Sequence, residues 1–270
     1  MTLLQTIVLA VVQGLTEFLP ISSTAHLVLV PWFAGWQDPG LTFNVALHVG
    51  TLLSVLVYFA RTWRGMLRGF FGGGTTPEAR PGLFALIAFA TVPGALAGYF
   101  LEAYAENVFR SPVLIASALI VVSLLLWVAD RRHTLVRQVE SIGWADALLI
   151  GLAQAVAIIP GTSRAGITIA AGLFCNLTRE AAARFSFMLA TPIIAGAAVK
   201  RGLELWQHGF PAGTSTADFA LGVLVSAAVG YAAIAFLLRY LRAQTLKIFI
   251  AYRLALGGII LVVEFLHSYP

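Results

Sequence analysis

The chain has 270 residues, 59% of them hydrophobic and only 11% charged, with a mean hydropathy of +0.89. Soluble domains carry about 25% charged residues, so the composition excludes an ordinary water-coated globule and points to an all-α polytopic membrane protein forming one integral membrane domain over residues 1–270. A net charge of +5 could suggest a nucleic-acid partner, but Lys and Arg sit mostly in short gaps between apolar runs, as topology signals and lipid-headgroup contacts do.

The N-terminal stretch MTLLQTIVLA lacks a basic leader and runs straight into Glu17 and Pro20, so no cleaved signal peptide is expected. Cys175 is the single cysteine and reads as a small packed apolar residue. The apolar runs are long and continuous, unlike the alternating segments of about ten residues in an outer-membrane barrel.

In chain order, runs long enough to span a bilayer, about 20 residues each, fall near 42–60, 83–103, 112–130, 184–200, 217–238 and 247–267. Two further apolar regions, 3–34 and 145–175, are broken by Pro20 and by Pro160-Gly161. Each reads as two half-helices joined by a polar turn. The expectation is six transmembrane helices plus two re-entrant hairpins.

Gaps at 61–80, 131–146 and 239–247 are rich in arginine and should be cytoplasmic. The alternate gaps are mixed, holding Glu102, Glu106 and Arg110, then Lys200, Arg201, Glu204 and Asp218, and should face outward. With that assignment the two hairpins enter from opposite faces. GGGTTPEARPG, at 72–82, and PAGTST, at 211–216, read as linkers too short to divide domains.

Setting FLPISSTA (18–25) over IIPGTSRA (158–165) pairs Pro20 with Pro160 and Ser23 with Ser163 at an offset of 140. Ser22 then falls on Thr162 and Ala25 on Ala165, while Gln13 and Gln154 agree after a one-residue slip. The halves, roughly 1–130 and 140–270, each hold one broken element and three spans. This is the arrangement of an inverted-topology repeat with polar turns meeting near the midplane. The turns differ chemically, since Glu17, Thr24 and His26 fall on Ala157, Arg164 and Gly166. One composite site is therefore expected.

The residues suggest its chemistry. Arg164 follows Gly161, Thr162 and Ser163 at a turn opening a half-helix, a combination that favours phosphate or another oxyanion. Gln13 and Glu17, spaced i, i+4, share a helix face, and the carboxylate could act as a base or hold a divalent cation. Ser22, Ser23 and Thr24 supply hydroxyls. His26 stands three residues past Ser23, where a helical turn would bring imidazole and hydroxyl onto one face. His48 is a weaker candidate, and Arg253 reads as a snorkelling residue near the start of the last span.

QGLTEFLPISSTAH (13–26) and PGTSRAG (160–166), supported by FSFMLATP (185–192) and IAYR (250–253), give the chain a sequence that resembles the bacterial undecaprenyl-diphosphatases of the bacitracin-resistance type. Gln13 stands where many members carry a first glutamate. The resemblance covers nearly the whole chain. It implies an inner-membrane enzyme, open toward the periplasm, that converts undecaprenyl diphosphate to undecaprenyl phosphate and inorganic phosphate, recycling the lipid carrier of peptidoglycan synthesis.

It also implies dependence on Mg²⁺ or Ca²⁺. The expected catalytic set is Glu17, Ser23, His26 and Arg164, with Gln13, Ser22, Thr24, Thr162 and Ser163 around the substrate and Glu17 as the metal ligand. The expected partners are the lipid substrate, membrane lipids and a second copy in a homodimer, without nucleic acid. A polyprenyl-phosphate transporter using the same site is the alternative, because broken midplane helices also serve transport.

Overall fold

In the computed structural model of the chain, the described residues are 1–37, 40–71, 81–107, 111–132, 134–208 and 215–268. All regular elements among them are helical: α1 (Leu3–Phe18), α2 (Ser23–Ala34), α3 (Gly40–Tyr58), α4 (Ala60–Phe70), α5 (Pro81–Asn107), α6 (Pro112–Asp130), a short 3₁₀ turn (Val139–Ser141), α7 (Trp144–Val156), α8 (Arg164–Phe174), α9 (Arg179–His208), α10 (Thr216–Leu241) and α11 (Lys247–Ser268). Five helices, α5, α6, α9, α10 and α11, are long and apolar enough to cross a bilayer, and the bent pair α3–α4 supplies a sixth crossing if counted as one span. Helices α1, α2, α7 and α8 are apolar but shorter. They are the four pieces of the two interrupted regions.

The breaks form where the sequence places them. Leu19 leaves the helical region at the end of α1, just before Pro20, as a residue preceding proline tends to do. α2 then starts from Ser22, held at φ 78°, whose hydroxyl accepts the Ala25 N–H. The second break repeats the design. Ser163, at φ 66°, caps α8 by accepting the Gly166 N–H at 3.1 Å.

This corrects the expected pairing of the two turns. The matching caps are Ser22 and Ser163, an offset of 141 (163 − 22), which aligns Gln13 with Gln154 without a slip and sets Ser23 opposite Arg164 as the first residue of each second half-helix. Prolines guided the sequence comparison, but a cap is defined by backbone conformation. Gly161, at φ +90°, makes the second turn possible, because a Cβ there would stand 2.4 Å from the Ile115 carbonyl.

A second correction concerns 61–80. Residues 60–70 are not a loop but α4, set at 69° to α3. Arg61, Arg64 and Arg68, at i, i+3 and i+7, form its exposed face, while Met66 is fully buried on the other side. Of the two linkers, residues 72–80 and 211–214 lie outside the described residues, as does Arg110.

The first helix of each interrupted region packs on a long helix far from it in sequence: α1 on α10, and α7 on α5. α3 also packs on α10, α5 on α9, and α6 lies against α11. In lipid, helices associate through close van der Waals contact and interhelical hydrogen bonds, and small residues supply the approach here. A Cβ on Gly50 of α3 would meet the Ser226 hydroxyl of α10 at 1.9 Å. Large apolar side chains such as Leu124, Phe236 and Val262 cover the outside, the surface a multi-pass membrane protein turns to lipid.

One end of the bundle is tied by ion pairs. Asp130, ending α6, accepts from Arg179 and from the Leu246 backbone N–H. Glu180 accepts from Arg184 and Arg242, and Arg137 forks onto Asp146 at 2.7 and 3.1 Å. That last hydrogen bond raises the Arg137 guanidinium above its ordinary value. Thr62 of α4 lines a small cavity with Glu180, Arg184 and Arg242. The arginine-rich segments therefore gather at one end.

Candidate active site

The interrupted regions bring the starts of α2 and α8 together around one carboxylate. Glu17, in the last turn of α1, has a side chain only 3% exposed. Its Oε2 accepts from the Gln13 amide at 2.9 Å and from the Ser23 hydroxyl at 2.6 Å, and its Oε1 accepts from Arg164. The first bond is the expected i, i+4 pair. The others exist only because Pro20 turns the chain back and α8 arrives from the other half.

An ionised buried carboxylate is tolerable only with this many partners. Arg164 is held in turn by the Ala190 carbonyl of α9 at 3.4 Å. The helix starts add the partial positive charge of their unsatisfied N–H groups.

His48 of α3 completes the cluster, its Nε2 3.4 Å from Glu17 Oε2 and its Nδ1 2.7 Å from the Asn44 carbonyl. His26 stands in the first turn of α2 with Ser23, as expected, but its ring bonds elsewhere. Its Nδ1 lies 2.7 Å from the Ser22 carbonyl and its Nε2 2.6 Å from the Tyr252 hydroxyl, with the two rings stacked. The hydroxyl of Ser23 is therefore bonded to a carboxylate and not to imidazole. Ser22 and Ser163 spend their hydroxyls on capping, and Ser22 Oγ also lies 3.2 Å from Thr24 Oγ1. Thr162, 2% exposed, offers its carbonyl to Arg253.

Arg253 is the residue that sequence reasoning misplaced. It does not snorkel. It is fully buried and donates to the carbonyls of Pro20, Gly161 and Thr162, to Leu119 and Ala118 of α6, and to the Ser123 hydroxyl. One guanidinium thus satisfies carbonyls that both broken turns leave open. A broken helix needs such a partner wherever water is absent.

Beside the cluster opens a cavity of about 540 Å³, lined by Thr24, Asn44, His48, Pro160 and apolar residues of α5 and α9, with Lys200 and Arg201 farther along α9. It is apolar over most of its wall. Several polar atoms around it and the cluster are buried without a hydrogen-bond partner: Gln13 Oε1, Asn44 Oδ1, Thr191 Oγ1 and both amide atoms of Gln154. Most buried polar atoms in native proteins are satisfied, and these are not.

The fold and site define a polytopic membrane protein with a hydroxyl, carboxylate and guanidinium gathered beside an apolar cavity. The family described as bacitracin resistance protein BacA matches residues 6–259, and the chain belongs to it. Among its relatives, one from Moorella thermoacetica is 48% identical over 98% of this chain and 99% of its own. One from Pelotomaculum thermopropionicum is 50% identical over 97% of each. A third, from Geobacter sulfurreducens, is 47% identical over 98% and 99%. All three are named undecaprenyl-diphosphatase.

Proposed function

We propose that the chain is an undecaprenyl-diphosphatase, a phosphohydrolase that removes the terminal phosphate from undecaprenyl diphosphate and so confers bacitracin resistance. The observation that carries this reading is the Glu17 carboxylate joined at once to the Ser23 hydroxyl and the Arg164 guanidinium. Binding a phosphate needs the cation and the helix starts. A hydroxyl held against a carboxylate adds a nucleophile with its base.

In this mechanism the prenyl chain lies along the apolar cavity and the terminal phosphoryl group reaches the cluster. Ser23 Oγ attacks the terminal phosphorus while its proton passes to Glu17, and the bond to the bridging oxygen breaks to release undecaprenyl phosphate. Water then attacks the phosphoserine while Glu17 returns its proton to the serine oxygen as that bond breaks, so that Glu17 is again a carboxylate and both water protons leave on inorganic phosphate. Arg164, freed from Glu17 as the carboxylate takes the proton, follows the phosphoryl oxygens, whose charge spreads in the transition state. His26, anchored to Tyr252, acts on the Ser22 turn and fixes where Ser23 points.

The family resemblance also implies a divalent cation. Among the described residues no group of three or more His, Cys, Asp or Glu gathers to hold one. Mg²⁺, however, typically takes one or two carboxylates together with substrate phosphate oxygens, and the buried, unpartnered Gln13 Oε1 beside Glu17 suits that role. Gln13 and Glu17 would hold a cation that arrives with the diphosphate. When bound, it neutralises phosphoryl charge.

The inverted-repeat architecture belongs to the same proposal. The two equivalent caps and the exchange packing of α1 on α10 and α7 on α5 support two re-entrant hairpins entering from opposite faces. The arginine-rich end is then cytoplasmic, the cavity opens toward the periplasm, and the molecule resides in the inner membrane. Acid quench of wild type during turnover of labelled substrate, followed by phosphopeptide mapping, tests the covalent step. Label on Ser23 is expected, and full activity in Ser23→Ala would overturn the serine route.

A further inference from the structure

Three of the four side chains described around Glu17 turn hydrogens toward it: the Gln13 amide, the Ser23 hydroxyl and the Arg164 guanidinium. His48 does not. Its Nδ1 stands 2.7 Å from the Asn44 carbonyl, which can only accept, so that nitrogen carries the ring proton and Nε2 of the neutral ring presents a lone pair. Glu17 and Arg164 already balance in charge, and before substrate enters a second cation in this buried cluster would stand uncompensated.

The lone pair faces Glu17 Oε2 across 3.4 Å. A charged hydrogen bond would be shorter, about 2.7–2.9 Å, so the spacing is that of two acceptors set opposite one another. The same Oε2 holds the Ser23 hydroxyl at 2.6 Å. One carboxylate oxygen therefore stands between the nucleophile and the imidazole.

That order matters once Ser23 gives up its proton. Oε2 then carries a hydrogen that needs an acceptor, because a buried donor left unsatisfied costs free energy, and the Gln13 amide and the guanidinium meet Glu17 as donors. His48 Nε2 is the acceptor in place. The ring is held by its Nδ1 bond in the middle of α3, a helix packed against α1, α9 and α10. Its side chain is 22% exposed where that of Glu17 is 3% exposed, and it lines the cavity.

We propose that His48 is a further positioning residue for the phosphoryl transfer: its Nε2 accepts a hydrogen bond from protonated Glu17 Oε2 and so holds there the proton that left Ser23. This rests on the phosphatase reading of the same site. As the bond from Ser23 Oγ to phosphorus forms and the bond to the bridging oxygen breaks, the hydroxyl proton moves to Oε2 and is shared with Nε2. As the phosphoserine bond breaks, it returns to Oγ by the same path. His48 is neutral at the start and the end of each turnover.

The test compares wild type with His48→Phe, which keeps a ring and removes the acceptor, and with His48→Ala, which opens the position to the cavity. Acid-quenched single turnover of a prenyl diphosphate gives the rate of phosphoserine formation, and steady-state assays give KM and kcat. His48→Phe should slow phosphoserine formation and kcat about tenfold with KM little changed. Imidazole added to His48→Ala should restore part of the lost rate, whereas pyrrole, a ring of the same size without the bare nitrogen, should not.

Unchanged phosphoserine formation in His48→Phe overturns the role. So does a raised KM at unchanged kcat, or an equal effect of imidazole and pyrrole, either of which marks His48 as packing alone. Absence of phosphoserine and of turnover in wild type would sink the phosphatase reading itself, a result distinct from an active wild type beside an equally active His48→Phe.

Discussion

Glu17 meets Gln13, Ser23, His48 and Arg164 at once, so its removal separates two effects that a single activity assay would merge. Glu17→Gln leaves Arg164 buried without its counter-charge, and breaking a buried pair from one side costs about 3–5 kcal/mol. It also removes the base. The expected outcome is a lower midpoint in thermal unfolding together with a loss of turnover of at least about 100-fold. Ser23→Ala should behave differently, losing turnover with a melting temperature close to wild type, because it deletes one hydroxyl and leaves the ion pair intact. A parallel drop in both properties for Ser23→Ala would mean that the serine is structural.

At the scale of the element, the two broken helices depend on one side chain that neither contains. Arg253→Met should destabilise both turns, since it strands the carbonyls of Pro20, Gly161 and Thr162 in a dry interior. Each buried group so orphaned costs about 1–3 kcal/mol. Hydrogen exchange followed by mass spectrometry should show faster exchange at residues 19–25 and 158–166 together, and protection lost at only one turn would contradict the shared clamp.

The breaks themselves were legible in the sequence, because Pro20 and Pro160-Gly161 disfavour a helix and the hydroxyls after them can cap one, whereas Pro31, Pro93 and Pro192, without that combination, stay inside helices. The spacing of Gln13 and Glu17 was legible for the same local reason. The clamp was not. Arg253 is 233 residues from Pro20 and 92 from Gly161, and an arginine near a helix start carries no local sign that carbonyls from elsewhere surround it. The register of the two turns was hidden too, because Ser22 and Ser163 adopt the left-handed conformation without being glycine. His26 was placed by helical geometry alone, which could not foresee that Tyr252 lies nearer to its ring.

For the whole molecule, the composition and the run lengths carried the architecture, since lipid leaves a long apolar chain little choice beyond helices. α4 was missed because its arginines resemble a topology signal, while the buried Met66 alone gives little hint of its inner face. Orientation is testable with single cysteines placed in a Cys175→Ala background. Probes at Arg64 and Arg242 should react only from the cytoplasmic side and one at Leu203 only from the periplasmic side; reaction of Arg64 and Leu203 from the same side would overturn the assigned topology. EDTA should abolish turnover and added Mg²⁺ or Ca²⁺ should restore it, whereas metal-independent turnover would remove the cation from the mechanism.

The most direct measurement is phosphate release from undecaprenyl diphosphate by the purified protein in detergent, run side by side for wild type, Ser23→Ala and Arg164→Lys. Wild type should release one phosphate per lipid. Ser23→Ala should fall by at least about 100-fold, and Arg164→Lys, which keeps the charge but loses the planar fork, should fall markedly as well. Release by Ser23→Ala at the wild-type rate, or none by wild type, would contradict the account.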